Sequence, residues 1–227
     1  MQRPQTLYEW HEMFMDIYGE RNKKMTRSEI WLHLVEEAGE VADDLRYEDF
    51  EKLQEDLPDV LAWLCGFAGA VLGRNLEEIV WEWYPSICPR CGKEKLCTCI
   101  AQIPRPSKDL ELLKRFRRSE QKKPSSLEGW QEMFTEIYGN INKIMSRSAI
   151  GFHLMEEIGE VAREIRRADW KKCEEEVADV FAFIIALVMK LPEFGNLSDA
   201  LWNRYLDRKC WKCNKEKCEC PLRAEES

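Results

Sequence analysis

No stretch of the 227-residue sequence is apolar for long enough to cross a bilayer: the longest apolar runs, Val60 to Gly73 and Val180 to Met189, fall short of the roughly 20 residues a spanning helix needs. The N-terminus, Met1-Gln2-Arg3-Pro4, is not followed by the apolar core of a signal peptide. Net positive charge is also lacking. A formal charge of -8 argues against a general nucleic-acid binder, whose surface would be basic, and leaves room for a small anionic ligand only where cations neutralise it locally. These absences predict a cytoplasmic protein with no membrane partner. The chain does have the material for a real core: at 44% hydrophobic and 33% charged it is not disordered by composition.

The stretch Glu36-Glu37-Ala38-Gly39-Glu40-Val41 occurs again as Glu156-Glu157-Ile158-Gly159-Glu160-Val161. Residues three apart share a helix face, so Glu37 and Glu40 point the same way, as do Glu157 and Glu160. A lone pair of this kind reads as a solvated face. Here a second acidic pair follows inside an apolar segment: Asp56 and Asp59 before Leu61-Ala62-Trp63-Leu64, and Glu176 and Asp179 before Phe181-Ala182-Phe183-Ile184. Two helices side by side would gather Glu37, Glu40, Asp56 and Asp59, and likewise Glu157, Glu160, Glu176 and Asp179. Carboxylates crowded away from water call for a cation, and an all-oxygen set suits Mg²⁺ or Mn²⁺. Glu36, Glu156, Asp44 and Glu164 are second-tier candidates.

Of the ten cysteines, eight fall into two groups: Cys88-x-x-Cys91 with Cys97-x-Cys99, and Cys210-x-x-Cys213 with Cys218-x-Cys220. Two tight pairs wrap one tetrahedral ion, so the expectation is two structural Zn²⁺ sites, with disulfide pairing as the alternative. Four thiolates leave no position open for water, which argues against a catalytic zinc. Cys65 and Cys173 stand alone and read as small core residues.

The chain is a tandem duplication. Trp10 matches Trp130, Glu37 matches Glu157 and Asp59 matches Asp179 at a constant offset of 120, which has become 122 by the pair Cys88 and Cys210. Each copy reads as helices alone. Thr6-x-x-Glu9 and Thr26-x-x-Glu29 are capping boxes that open the first and second helices, the second running to about Leu45; Ser125 or Ser126 and Ser146 take these places in the second copy. The third helices start near Asp49 and Asp169, and Pro58 predicts a kink or a late start in the first copy only. Short fourth helices run from Leu76 to Tyr84 and Leu197 to Tyr205. The organisation is therefore 1–87 first helical repeat, 88–99 first zinc cluster, 100–125 linker, 126–209 second repeat, 210–227 second zinc cluster and tail. Prolines 104, 106 and 124 flank the basic residues Lys114, Arg115, Arg117, Arg118, Lys122 and Lys123 in the linker, where a helix over 107–118 is expected to lie across the outside of the fold.

The acidic pattern resembles the signature of the MazG-like all-α nucleoside triphosphate pyrophosphohydrolases, E-x-x-E followed a helix later by E-x-x-D. The second copy has it in full, while the first has Asp56 where the family usually has Glu. The resemblance covers roughly residues 6–85 and 126–206, without the cysteine clusters and the linker. It implies an all-α fold in which two tandem MazG-like helical repeats pack as an intrachain pseudo-dimer helical bundle, each ending in a zinc knuckle. It also implies Mg²⁺ bound by these acids, one of which doubles as general base, and hydrolysis of an NTP or dNTP to the monophosphate and pyrophosphate. Further pairing into a homodimer of chains is left open. Because Asp56 is a methylene shorter than Glu and Pro58 disturbs the same helix, the second copy is the expected seat of activity, with both sites working as the alternative.

Asn22, Lys23 and Arg27 recur as Asn142, Lys143 and Arg147. Charges on a loop at a helix start suit an anion, so Lys23, Arg27, Lys143 and Arg147 are predicted phosphate contacts, with ordinary solvated residues as the alternative. His33 and His153 read as packed, hydrogen-bonded residues, with support of a metal ligand as the alternative. Trp10, Trp31, Trp63 and Trp130 read as core before base-stacking platforms. Competing classes are a ferritin-like di-iron protein, which wants Glu-x-x-His where this chain has His33-x-x-Glu36; a non-catalytic nucleotide and metal sensor; and an interaction protein recruiting partners through its zinc clusters.

Overall fold

The computed structural model describes residues 2–99, 107–117 and 122–222, so Pro104, Pro106, Arg118 and the end of the tail lie outside the described residues. All regular structure among them is helical. The first repeat consists of α1 (Leu7–Asn22), α2 (Arg27–Tyr47), α3 (Phe50–Phe67) and α4 (Leu76–Trp83). The linker contributes α5 (Leu110–Arg117), and the second repeat α6 (Leu127–Ile144), α7 (Arg147–Arg167), α8 (Trp170–Lys190) and α9 (Leu197–Arg204). No single described helix is long and apolar enough to cross a membrane.

The helix starts follow local chemistry. Thr6 and Thr26 accept from the backbone N–H of Glu9 and Glu29, whose side chains accept in return from the cap backbone. In the second repeat Ser126 and Ser146 cap α6 and α7. α3 begins at its Asp49 cap and continues through Pro58, so the predicted late start is absent. Pro58 is buried with Leu57 and Asp59 on either side, and this packing outweighs the missing helical hydrogen bond. The break comes later, in a π turn over Ala68–Leu72 that ends at Gly73 with φ 66°.

The two hairpins pack face to face, α2 against α7 and α3 against α8. Each fourth helix then crosses to the other repeat. α4 turns off α3 by 90° and lies between α1 and α8, with the Trp81 ring edge-on to Trp130 and Tyr84 edge-on to Phe134 at 5.1 Å. α9 does the converse between α6 and α3, bringing Trp202 to Trp10 and Tyr205 to Phe14 at 4.9 Å. One continuous cluster of buried residues therefore runs from Leu7 to Cys210. Removing an aromatic such as Trp10 or Trp130 from it costs about 3–5 kcal/mol.

Each cysteine cluster follows its fourth helix across. Cys97 N donates to Ile137 O at 2.7 Å on α6, and Cys218 N donates to Ile17 O at 2.7 Å on α1. α5 is tied to this layer by Asp109 N donating to Pro89 O at 2.8 Å and by Arg117 donating to the carbonyl and carboxylate of Glu82. α5 lies across the outside with Leu113 its one buried residue, but Lys108, just before it, points inward with its side chain 4% exposed.

Candidate active site

In repeat one, Glu37 and Glu40 lie a turn apart on α2, opposite the buried Asp56 and Asp59 of α3. Asp59 is held by residues from the far end of the chain. Arg204 donates to it from Nη2 at 2.6 Å and from Nε at 3.2 Å, and the Tyr205 hydroxyl donates at 2.5 Å. Arg204 also reaches Glu55 at 3.1 Å and lies over the Trp211 ring at 4.1 Å. Lys52 pairs with Asp56 at 3.1 Å and Asp44 at 3.7 Å, and no donor among the described residues reaches Asp44 Oδ2. Beside these acids lies a cavity of ≈ 590 Å³ lined by Glu36, Glu37, Glu40, Asp59, Trp63, Arg21, Asn22, Arg204 and, from the second cysteine cluster, Trp211 and Lys212. That is within the usual size for a small-molecule site, about 300–1,000 Å³.

In repeat two, Glu157 on α7 and Glu176 and Asp179 on α8 are all buried, with carboxylate oxygens within 4.8 Å of one another. Tyr84 donates to Asp179, and the Lys108 ammonium meets both Asp179 oxygens, at 2.9 and 2.8 Å, and Glu175 at 3.0 Å. Arg163 spans Glu160 at 2.7 Å, Glu164 at 2.6 Å and Glu176 at 3.4 Å. The cavity here is only ≈ 50 Å³, room for a few waters.

Burial, then the negative charges of Asp59 and Glu40, pushes the Glu37 carboxyl up to about 8. Glu157 and Glu176 are likewise pushed up to about 8 by burial and the neighbouring carboxylates, Asp179 first. Burial and the adjoining Asp56 raise Asp44 to about 7. These all-oxygen clusters are short of positive charge and fit a hard divalent ion such as Mg²⁺. In the first cysteine cluster Sγ–Sγ separations run from 3.3 to 3.6 Å, far longer than a disulfide and close to the spacing of thiolates around one tetrahedral ion. Cys210 and Cys220 lie 3.9 Å apart in the second, and all ten cysteines are free.

The family model of the MazG nucleotide pyrophosphohydrolase domain matches residues 25–80 and, a second time, residues 145–198. The chain carries two MazG-like domains in tandem. No curated protein and no solved structure matches the chain. Each matched segment holds one E-x-x-E and the acidic pair after it. Tyr84, Lys108, Arg204, Tyr205 and Trp211, which complete the MazG-like sites, lie outside the matched segments.

The cations predicted to meet phosphate do not line either cavity. Arg27 lies over the Trp170 ring at 4.8 Å, and Arg147 over the Phe50 ring at 4.6 Å while paired with Glu193. Lys23 pairs with Glu20, and the carbonyl of Lys143 accepts from Lys190. Arg27 and Arg147 open α2 and α7 ten residues, or about 15 Å, before Glu37 and Glu157. Asn22 and Asn142 do line the cavities. His33 and His153 bond Glu36 and Glu156, at 3.1 and 3.0 Å. Trp10 and Trp130 are core, Trp31 donates to Ile158 O across the repeats, and Trp63 faces the larger cavity. Tyr84 and Tyr205 were findable as residues that recur just before each cysteine cluster. Lys108 and Arg204 have no such signal, because neither has a like residue in the other copy.

Proposed function

We propose that the chain is a Mg²⁺-dependent nucleoside triphosphate pyrophosphohydrolase, converting an NTP or dNTP and water to the monophosphate and pyrophosphate. The observation that supports this reading is that facing helices inside the MazG-like segments bring acids together: Glu37 and Glu40 opposite Asp56 and Asp59 in repeat one, and Glu157, Glu176 and Asp179 within 4.8 Å of one another, with Glu160 a turn along α7, in repeat two. These eight are the candidate Mg²⁺ ligands, and the catalytic acids are drawn from among them. Cys88, Cys91, Cys97 and Cys99, and Cys210, Cys213, Cys218 and Cys220, are the proposed ligands of two structural Zn²⁺ ions.

Bound Mg²⁺ would neutralise triphosphate charge and lower the pKa of a coordinated water. The protein's own part is positioning. Arg204 and Tyr205 fix the Asp59 carboxylate, while Arg21 and Lys212 put positive charge on the cavity wall where phosphate oxygens need it. Water adds to the α-phosphorus as the bond to the α–β bridging oxygen breaks, and pyrophosphate leaves.

The test is pyrophosphate release from a panel of NTPs and dNTPs with Mg²⁺. Turnover is expected for at least one nucleotide, falling 100-fold or more (on the order of 10²) on replacing an essential acid by its amide. Binding without turnover of any nucleotide would make the chain a sensor.

A further inference from the structure

The two acidic clusters are built from matched residues, yet their charge is met differently. In repeat two, the Arg163 guanidinium serves Glu160, Glu164 and Glu176 together, and Lys108 from the linker closes on Asp179 and Glu175. The residue at the Arg163 position of repeat one is Asp43. Among the described residues no lysine or arginine pairs with Glu37 or Glu40, which face the cavity. Cations of the chain meet Glu160, Glu176 and Asp179 in repeat two, whereas in repeat one Lys52 and Arg204 meet Asp56 and Asp59 and leave both acids of α2 facing the cavity.

Space points the same way. The repeat-one cavity measures ≈ 590 Å³ and the repeat-two cavity ≈ 50 Å³. Trp211 and Lys212, on one wall of the larger, are replaced by Pro89 and Arg90 in the smaller. The larger also has an unmet polar group. Asn22 is 2% exposed and lies in the wall, and no donor among the described residues reaches its Oδ1. Trp63, backed by the His33 ring at 4.4 Å, and Trp211, backed by Arg204, offer aromatic surface for a base.

We infer that the chain has one working nucleotide site, in repeat one, and that the acids of repeat two are a structural counterpart tied up by Lys108 and Arg163 around a cavity too small for a nucleotide. The inference rests on the pyrophosphohydrolase reading, and it reverses the expectation drawn from Asp56 and Pro58 that the second copy is the active one. The substrate lies between α2 and the zinc knuckle of the opposite repeat, with its base on Trp63 or Trp211 and its phosphates toward Glu37, Glu40 and Asp59.

The experiment is calorimetric titration of the full chain, with Mg²⁺, by nucleoside triphosphate analogues that carry a methylene in place of the α–β bridging oxygen. One equivalent per chain is expected. Trp63→Ala should weaken binding about tenfold, the loss of one base–aromatic contact. Phe183→Ala, the matched change in repeat two, should leave affinity and stoichiometry unchanged. Two equivalents per chain would overturn the inference, as would a single equivalent lost with Phe183→Ala and kept with Trp63→Ala. The unmutated chain decides between one and two even if a variant fails to fold. Absence of binding by every analogue would instead overturn the pyrophosphohydrolase reading and the inference with it.

Discussion

Lys108 keeps its ammonium among carboxylates and almost out of water, and its affinity for a proton is raised by Asp179 and Glu175 against the opposing effect of burial. Lys108→Ala leaves those acids without their partner. Breaking one side of a buried pair costs about 3 kcal/mol or more, so the melting temperature in chelator should fall by about 10 °C. Millimolar Mg²⁺ should recover part of that loss, which a simple packing defect would not allow. Glu37, Glu157 and Glu176, pushed up to about 8, hold protons in the folded protein that the unfolded chain has released. Their contribution to stability is complete below the ordinary 4.5 and disappears as pH rises through about 8. A metal bound at Glu37 must displace its proton, so the rise in Tm on adding Mg²⁺ should be larger at pH 8.5 than at pH 6.5. Equal rises would argue that Glu37 is not a ligand. The acids themselves were legible in the sequence because a three-residue spacing on a helix is local information. Arg204 was not, since it meets Asp59 across 145 residues of chain.

At the scale of elements, the caps and helix faces could be read because Thr6, Thr26, Ser126 and Ser146 act on backbone three residues away. The effect of Pro58 could not, since it depends on what surrounds α3. The joint between α1 and α4 makes a further prediction. His11 Nδ1 accepts from Leu76 N at 3.4 Å at the start of α4, and burial pushes the imidazole down to about 4. It folds neutral. The stability it contributes is present in full above its ordinary 6.5 and is lost as pH falls toward 4, by up to about 3 kcal/mol. In urea denaturation, His11→Asn, which keeps an acceptor near the Nδ1 position, should lose less stability between pH 7 and 4.5 than the unmutated chain. The cysteine clusters should yield two zinc ions per chain by elemental analysis. Chelation should loosen the wall that Trp211 and Lys212 give to the larger cavity, so nucleotide affinity should fall with zinc content.

For the whole molecule, the pairing of the two repeats followed from the resemblance, whereas the crossing of α4 and α9 between them did not. No local pattern records which neighbour a short amphipathic helix chooses. Because Tyr84 serves Asp179 and Tyr205 serves Asp59, neither repeat contains a complete site. Residues 1–99 and 122–222 made as separate chains should therefore each self-associate and, when co-expressed, elute as a 1:1 complex in size-exclusion chromatography. The same crossing sets an order in time. A ribosome makes Glu37, Glu40 and Asp59 first, but the guanidinium that clamps Asp59 follows 145 residues later, and the indole that walls the cavity comes after it. On the proposed reading, a nascent chain is harmless to the nucleotide pool until the second repeat and its cysteine cluster have emerged, so catalysis waits on synthesis of that later segment.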